Sequence, residues 1–89
     1  NLHSAFPNPF NPATNIKYDL NSGNFISLTI HDLKGRKVKT LLNRFQTAGQ
    51  HIVKWDSTND KGELVSAGLY FYTIRSKTHM QTKKFLLAK

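Results

Sequence analysis

Cysteine is absent from the 89-residue chain, and its absence removes several kinds of chemistry at once. Without cysteine there is no disulfide, no thiolate nucleophile and no zinc site built on thiolates. The absence of cysteine does not indicate the cellular compartment of the protein, because oxidising environments also hold domains that lack cysteine. No run of about 18 apolar residues is present either, so the sequence predicts no membrane-spanning helix.

Acidic residues are scarce: 5 Asp and Glu stand against 13 Lys and Arg, which gives a net charge of +8. This excess favours acidic partners such as nucleic acid, anionic lipid or lipopolysaccharide, without choosing among them. The chain is long enough for one hydrophobic core only. The first residues lack the order of a signal peptide, and residues 1–4 are typical of the end of a linker, so we expect a parent chain upstream.

Proline is confined to one short segment, because all 3 prolines lie within residues 7–12. Each fixes its own backbone and biases the preceding residue toward extended conformations, which excludes a helix or a central strand. We therefore expect residues 1–13 to be a linker end and a proline-rich arm. In it, Phe6 and Phe10 would anchor against the core, while Asn8 and Asn11 would bond to local backbone.

Beyond the arm, apolar and polar residues alternate with the period of two that is typical of half-buried strands. The predicted strands are 15–20, 25–32, 36–43, 50–56, 63–66, 69–74 and 80–87. Seven short strands separated by turns predict an all-β sandwich or barrel. The predicted core is Ile16, Tyr18, Leu28, Ile30, Val38, Val53, Trp55, Tyr70, Tyr72, Ile74 and Leu86.

Two features refine this prediction. Residues 69–74 are apolar on both faces, which favours a central strand covered on each side. Residues 32–38 and 59–65 share the pattern Asx-x-Lys-Gly-x-x-Val. An Asx residue starts a tight turn and Gly accepts a positive φ, so we expect Gly35 and Gly62 to be left-handed.

Residues that could carry chemistry are few and scattered. The four histidines, His3, His31, His51 and His79, lie on separate segments without a partner at a metal-ligand spacing. Residues 56–63 offer oxygen ligands for calcium, but Lys61 lies among them and the spaced acidic pattern is incomplete, which favours a plain turn. No nucleophile motif is present. We therefore expect no metal, no cofactor and no enzymatic activity.

The basic residues and the aromatic residues can each be interpreted in two ways. One group of cations without an acid among them is Lys34, Arg36, Lys37, Lys39, Arg44 and Lys54, and a second is Arg75, Lys77, Lys83, Lys84 and Lys89. These residues either bind an anion or form solvated faces that protect sheet edges. Four aromatic residues either stack on bases or sugars or fill the core, and a small sandwich needs its core first: they are Trp55, Tyr70, Phe71 and Tyr72.

Residues 7–14, 32–38, 48–56, 67–72 and 83–87 resemble, in this order, the blocks of the C-terminal sorting domains of type IX secretion. The pattern is also similar to the immunoglobulin-like domain of the flagellar hook-capping protein. The resemblance implies an immunoglobulin-like antiparallel β-sandwich of about seven strands over residues 14–89. Two positions depart from the family: His31 stands where Tyr is usual, and Ser57 where Gly is usual.

The resemblance also implies a function. The chain would be the sorting module of a larger secreted protein with an amino-terminal passenger, recognised by the type IX translocon in a Gram-negative bacterium. A sortase-like peptidase would then act on it, with or without attachment to anionic lipopolysaccharide, and the destination would be the medium or the cell surface via the periplasm. Nucleic acid is not an expected partner.

The recognition residues that this resemblance implies are Pro7, Asn8, Pro9, Asp32, Gly35, Arg36, Gly49, Trp55, Asp56, Gly62, Gly68, Tyr70, Lys83, Lys84, Leu86, Leu87 and Lys89. Two alternatives stay open beside sorting. One is an accessory module that binds carbohydrate or lipopolysaccharide for an attached enzyme. The other is a structural spacer or assembly domain.

Overall fold

The alternating patterns become strands whose apolar side chains meet in one interior. The structure is a computed structural model that describes residues 1–9 and 12–88. Its strands are β1 (Thr14–Leu20), β2 (Asn24–Asp32), β3 (Lys37–Gln46), β4 (Gly49–Trp55), β5 (Gly68–Arg75) and β6 (Met80–Leu87). They form a sheet of order β1–β4 and a sheet of order β3–β2–β5–β6, with antiparallel pairing throughout. Within the described ranges, no helix is long and apolar enough to cross a membrane.

The all-β sandwich is confirmed, with six strands rather than seven in the described part of the chain. The predicted strand 63–66 contributes only one bridge, between Leu64 and Thr58. Val65 adds a hydrogen bond from its N–H to the Ser57 carbonyl at 2.9 Å. This segment closes the preceding turn and ends before a ladder can form.

The core lies between the two sheets and is rich in aromatic residues. Eight predicted core residues are buried: Ile16, Tyr18, Leu28, Ile30, Trp55, Tyr70, Tyr72 and Ile74. Val38 and Val53 are partly buried and pack against the cluster. Each large apolar side chain withdrawn from water contributes about 1.5–3 kcal/mol before conformational entropy is counted. These contacts hold the two sheets together.

The side of β6 that faces the core differs from the prediction, although the bounds of the strand agree with it. Leu86 is 43% exposed, whereas Phe85 and Leu87 are buried at 1% and 2%. Pairing with β5 sets Phe85 opposite Tyr70. Because side chains alternate between the faces of a strand, Leu86 then points away from the core. The prediction that Leu86 is a core residue was wrong, because the apolar run 85–87 gives no alternation from which to choose a face.

The central position of β5 is confirmed, but its second face is not covered. β5 lies between β2 and β6. Tyr70, Tyr72 and Ile74 point inward and are buried, while Leu69, Phe71 and Thr73 are only half-buried. The apolar character of both faces therefore indicated the position of the strand correctly and its outer environment incorrectly.

The arm packs along β1. Leu2 and Ala5 are buried in the core, and isolated bridges join Leu2 to Tyr18 and Phe6 to Asn15. The side chain of Phe6 is 48% exposed, so its predicted role as an anchor was wrong. Small and aliphatic residues do the anchoring, while Phe6 contributes its backbone. The predictions for Phe10 and Asn11 lie outside the described residues.

Candidate recognition surface

The proline-rich arm crosses the free edge of β6 and closes part of it. The side-chain oxygen Oδ1 of Asn8 accepts a hydrogen bond from the Leu86 N–H at 3.0 Å. This bond joins residues 78 apart, so the prediction that Asn8 bonds to local backbone was wrong. A second bond runs from the Leu2 N–H to Oε1 of Gln81 at 2.9 Å. The first and last segments of the domain are thus held together.

Part of the β6 edge lies in a shallow pocket beside this crossing. The Leu86 N–H points away from β5, and backbone groups in a strand alternate in direction, so those of Thr82 and Lys84 point the same way. The pocket has a volume of about 400 Å³ and is lined by Ser4, Asn8, Phe71, Tyr72, Thr82, Lys83 and Lys84. Its residues offer backbone groups, hydroxyls, an amide and two cations.

Lys83 and Lys84 bring positive charge to both sides of that edge. Lys84 is opposite Phe71 on the outer face of the sheet and is exposed, whereas Lys83 is opposite Tyr72 and is half-buried. No carboxylate is among the described residues that line the pocket. A partner strand or an acidic terminus that approaches here would meet a cation on each side.

A buried tyrosine fixes the arm beside this surface. The Tyr72 hydroxyl donates to the His3 carbonyl at 2.8 Å and accepts from the Ala5 N–H at 2.9 Å. Burial raises the pKa of Tyr72, which keeps the hydroxyl protonated and able to do both. His3 also reaches Oδ2 of Asp19 at 2.5 Å, and this bond lowers the pKa of that carboxyl. Sequence patterns marked Tyr72 as core and gave no signal for its contact with the arm.

Three of the predicted recognition residues, Trp55, Tyr70 and Leu87, are buried in the core. Trp55 stacks on Phe85 at 5.4 Å between ring centroids and meets Tyr70 edge-on at 5.3 Å. The Trp55 indole N–H donates to the Thr58 carbonyl at 2.9 Å. The Tyr70 hydroxyl donates to the Ser66 carbonyl at 2.6 Å. These side chains build the core of the sandwich.

The two related turns share one hydrogen-bond pattern. Oδ1 of Asp32 accepts from the backbone N–H of Lys34 and of Arg36, each at 2.9 Å. Oδ1 of Asn59 accepts in the same way from Lys61 and Glu63, at 2.9 and 3.0 Å. Gly35 and Gly62 have φ values of 83° and 81°, which confirms the predicted left-handed conformation. The role of these motif residues is to shape turns.

The remaining candidates lie apart from the pocket. Gly49 and Gly68 begin β4 and β5. Oδ1 of Asp56 accepts from the Thr58 hydroxyl at 2.5 Å, and this bond lowers the pKa of the Asp56 carboxyl. Pro7 and Pro9 are exposed on the arm beside Asn8. Lys89 lies outside the described residues.

The histidines serve separate local contacts. His51 stacks on Tyr18 with ring centroids 5.1 Å apart, and its Nε2 is 2.8 Å from the Thr47 carbonyl. Nδ1 of His79 is 2.8 Å from the Thr78 hydroxyl. Over residues 1–9 and 12–88, no three His, Asp or Glu side chains lie close enough together to hold a metal ion.

One family model matches almost the whole chain. It is that of the secretion system C-terminal sorting domain, and it covers residues 4–88. The match includes the arm from Ser4 onward and all six strands. No curated protein matches the chain.

Several solved structures share the fold. PorZ, an essential surface component of the type IX secretion system of Porphyromonas gingivalis, aligns with 100% of this chain and 12% of its own, at 18% identity and a TM-score of 0.69. Dimeric latent PorU of the same organism aligns with 98% of this chain and 9% of its own, at 22% identity and a TM-score of 0.75.

The hook-capping protein FlgD of Xanthomonas campestris aligns with 92% of this chain and 59% of its own, at 25% identity and a TM-score of 0.66. The three likenesses confirm the predicted immunoglobulin-like sandwich. In each case this chain spans less than two thirds of the solved protein.

Proposed function

The chain belongs to the family of secretion system C-terminal sorting domains, and we propose that its signal is read on the surface where the arm crosses β6. The domain is a C-terminal sorting signal of type IX secretion, which directs export through the outer membrane. We define the arm–β6 surface as Asn8, Thr82, Lys83, Lys84 and Leu86.

One observation carries the proposal: the accessible recognition residues Asn8, Lys83, Lys84 and Leu86 lie together on this surface, whereas Gly49, Asp56 and Gly68 lie apart from it. The side chain of Asn8 touches the backbone of Leu86 at 3.0 Å, and Asn8, Lys83 and Lys84 line the same pocket. By contrast, Trp55, Tyr70 and Leu87 are buried. A folded cargo is recognised through its surface, so the accessible members carry the signal.

The surface suits recognition by a protein that offers a strand or a carboxylate. Edge strands pair with added strands through main-chain hydrogen bonds, and flanking side chains supply the specificity. Lys83 and Lys84 flank the edge on its two sides. The type IX translocon would bind here, with a passenger on the amino-terminal side of the arm.

The later steps are those that the family resemblance implies. A sortase-like peptidase would cut ahead of the sandwich, releasing the passenger to the medium or joining it to anionic lipopolysaccharide at the cell surface. The route crosses the periplasm of a Gram-negative cell. The domain itself takes no catalytic part, and nucleic acid is not a partner.

An assembly or spacer role is the second candidate, because FlgD shares the fold over 92% of this chain. A spacer would need the sandwich without the specific side chains of the arm–β6 surface. The two functions therefore differ in their sensitivity to substitutions there.

The test is secretion of a fluorescent reporter fused ahead of the domain in a type IX-competent cell. We expect Lys83→Gln with Lys84→Gln to lower secretion strongly while the melting temperature changes little. The matched control is Lys34→Gln with Lys61→Gln, which removes the same charge from exposed residues of the two turns. Equal secretion by both variants would contradict this assignment of the signal.

A further inference from the structure

The outer face of the four-stranded sheet carries a regular array of polar residues. Pairing places four threonines in one row across it: Thr40, Thr29, Thr73 and Thr82. A register shift between Leu28 and Thr29 brings Thr40 into the row. With strands about 4.8 Å apart, the row spans about 14 Å. The Thr73 and Thr82 hydroxyl oxygens are 2.9 Å apart.

Cations border this threonine row on both sides. The next row toward one end of the strands holds Lys37, His31, Phe71 and Lys84, and the next row toward the other end holds Asn43, Ser27, Arg75 and Met80. Each neighbouring row lies about 6.7 Å away, since residues two apart on a strand share a face. A ligand laid along the threonines would therefore have Lys37 and Lys84 on one flank and Arg75 on the other.

None of the described carboxylates lies in the threonine row or in its two neighbouring rows, but Asp60 contacts the β3 end of the row, where its Oδ1 accepts a hydrogen bond from the Thr40 N–H at 3.0 Å. The five acidic residues of the chain are Asp19, Asp32, Asp56, Asp60 and Glu63. They lie on β1, at the end of β2 beside a turn, or in the segment between β4 and β5. The complement of the outer face is thus a ligand that is negatively charged and rich in hydroxyl groups.

We propose that the outer face binds an anionic polysaccharide along the threonine row. Hydroxyls both donate and accept hydrogen bonds, as sugar hydroxyls do, and the cations beside the row would meet acidic groups of the chain. Phe71, half-buried between His31 and Lys84 in its row, offers an aromatic surface to a sugar ring. Leu69, Leu86 and Met80 share this face but lie outside the threonine row, which itself offers hydroxyl groups to a ligand.

This binding is independent of sorting, because Thr29, Thr40 and Thr73 lie outside the arm–β6 surface, which shares Thr82, Lys84 and Leu86 with the face. The probe is polygalacturonate, with neutral dextran and single-stranded poly(dT) as comparisons, measured by calorimetry on the whole domain. We expect binding to polygalacturonate only, and we expect added salt to weaken it.

Two variants separate specific binding from charge attraction. Thr29→Val with Thr73→Val keeps the branched shape but removes two hydroxyls, and should weaken binding about fivefold or more. Lys37→Gln with Arg75→Gln should weaken it similarly, whereas the control Lys34→Gln with Lys61→Gln should change it less than about twofold. Reporter secretion should be normal in all three.

Three results of the binding measurements would overturn the proposal: no binding of polygalacturonate, equal binding of poly(dT), or an equal loss in the control variant. The valine variant has the same charge as the unsubstituted domain. Electrostatic attraction alone therefore cannot explain weaker binding by this variant. A melting curve of each variant shows that the fold is intact. If secretion fails in the valine variant while binding persists, the face belongs to the sorting signal and not to a polysaccharide.

Discussion

Ser57 stands where the family resemblance implies Gly, and the fold accommodates it. Its φ is 69°, a value that residues other than glycine rarely adopt, and the residue is 2% exposed. Glycine, the residue that the family resemblance implies at this position, adopts this backbone conformation without a steric cost. Here the Ser57 hydroxyl donates to the Pro12 carbonyl, a contact that glycine would lose. The hydrogen bond offsets the conformational cost.

Two substitutions separate these effects. Ser57→Ala loses the hydrogen bond and keeps the unfavourable φ, so we expect the free energy of unfolding to fall by about 1 kcal/mol. Ser57→Gly loses the same bond but removes the steric cost, and it should be destabilised less than the alanine variant. Urea unfolding measures both. A glycine variant less stable than the alanine variant would contradict this account of the position.

At the scale of single elements, β6 is the strand whose register decides both core and surface. Its pairing with β5 sends Phe85 and Leu87 inward and leaves Lys84 and Leu86 on the outer face. A slip by one residue would reverse every side chain. The hydrogen bond from the Leu86 N–H to Oδ1 of Asn8 lies on the edge of β6 that is opposite to β5, and it also fixes this register.

Neighbouring leucines test this register. Leu87→Ala should lower the free energy of unfolding by about 2–5 kcal/mol, because it leaves a cavity in the core. Leu86→Ala, at a position 43% exposed, should cost less than about 1 kcal/mol. Thermal or urea unfolding of the pair gives the comparison directly. Similar losses for the two variants would show that β6 is shifted.

Local patterns predicted the elements whose causes are local. Alternation identified β1 and β2, and the Asx and Gly residues identified both related turns, because side chain and backbone interact within five residues there. The arm could not be predicted in the same way. Its contacts join Leu2 to Tyr18, Ala5 to Tyr72 and Asn8 to Leu86, and nothing in the sequence near any of these residues indicates a partner so distant.

The candidate site also has features that the sequence predicts and features that only the distant contacts of the fold determine. Its members were found through a family resemblance, which gives positions but no roles. Only the packing separates Trp55, Tyr70 and Leu87, which are buried, from Lys83 and Lys84, which flank an edge. The threonine row had no sequence signal, because its four members come from four strands and align only through pairing.

For the whole molecule, the few acids are committed to structure in a strongly basic chain. Asp19 is bonded by His3, Asp32 by the Arg36 backbone and side chain, and in each case the hydrogen bonds lower the pKa of the carboxyl. A carboxyl whose pKa is lower in the folded state adds stability above its unfolded pKa. That contribution is lost as the pH falls through the lowered value.

We therefore expect the melting temperature to drop as the pH is lowered below about 3.8, the ordinary pKa of Asp. Asp32→Asn keeps an oxygen at Oδ1 for the turn, as Asn59 does in the related turn, but cannot titrate. Its melting temperature should depend less on pH between about 5 and 2 than that of the unsubstituted domain. Identical pH dependence would show that Asp32 does not contribute.

The central claim is that this folded domain is itself the export signal. Its most direct measurement is the fraction of a fused fluorescent reporter that reaches the medium or cell surface, compared between a type IX-competent cell and the same cell without its translocon. We predict export only in the competent cell, and none after deletion of residues 80–89, which removes β6. Export that continues without the translocon, or without β6, would contradict the account.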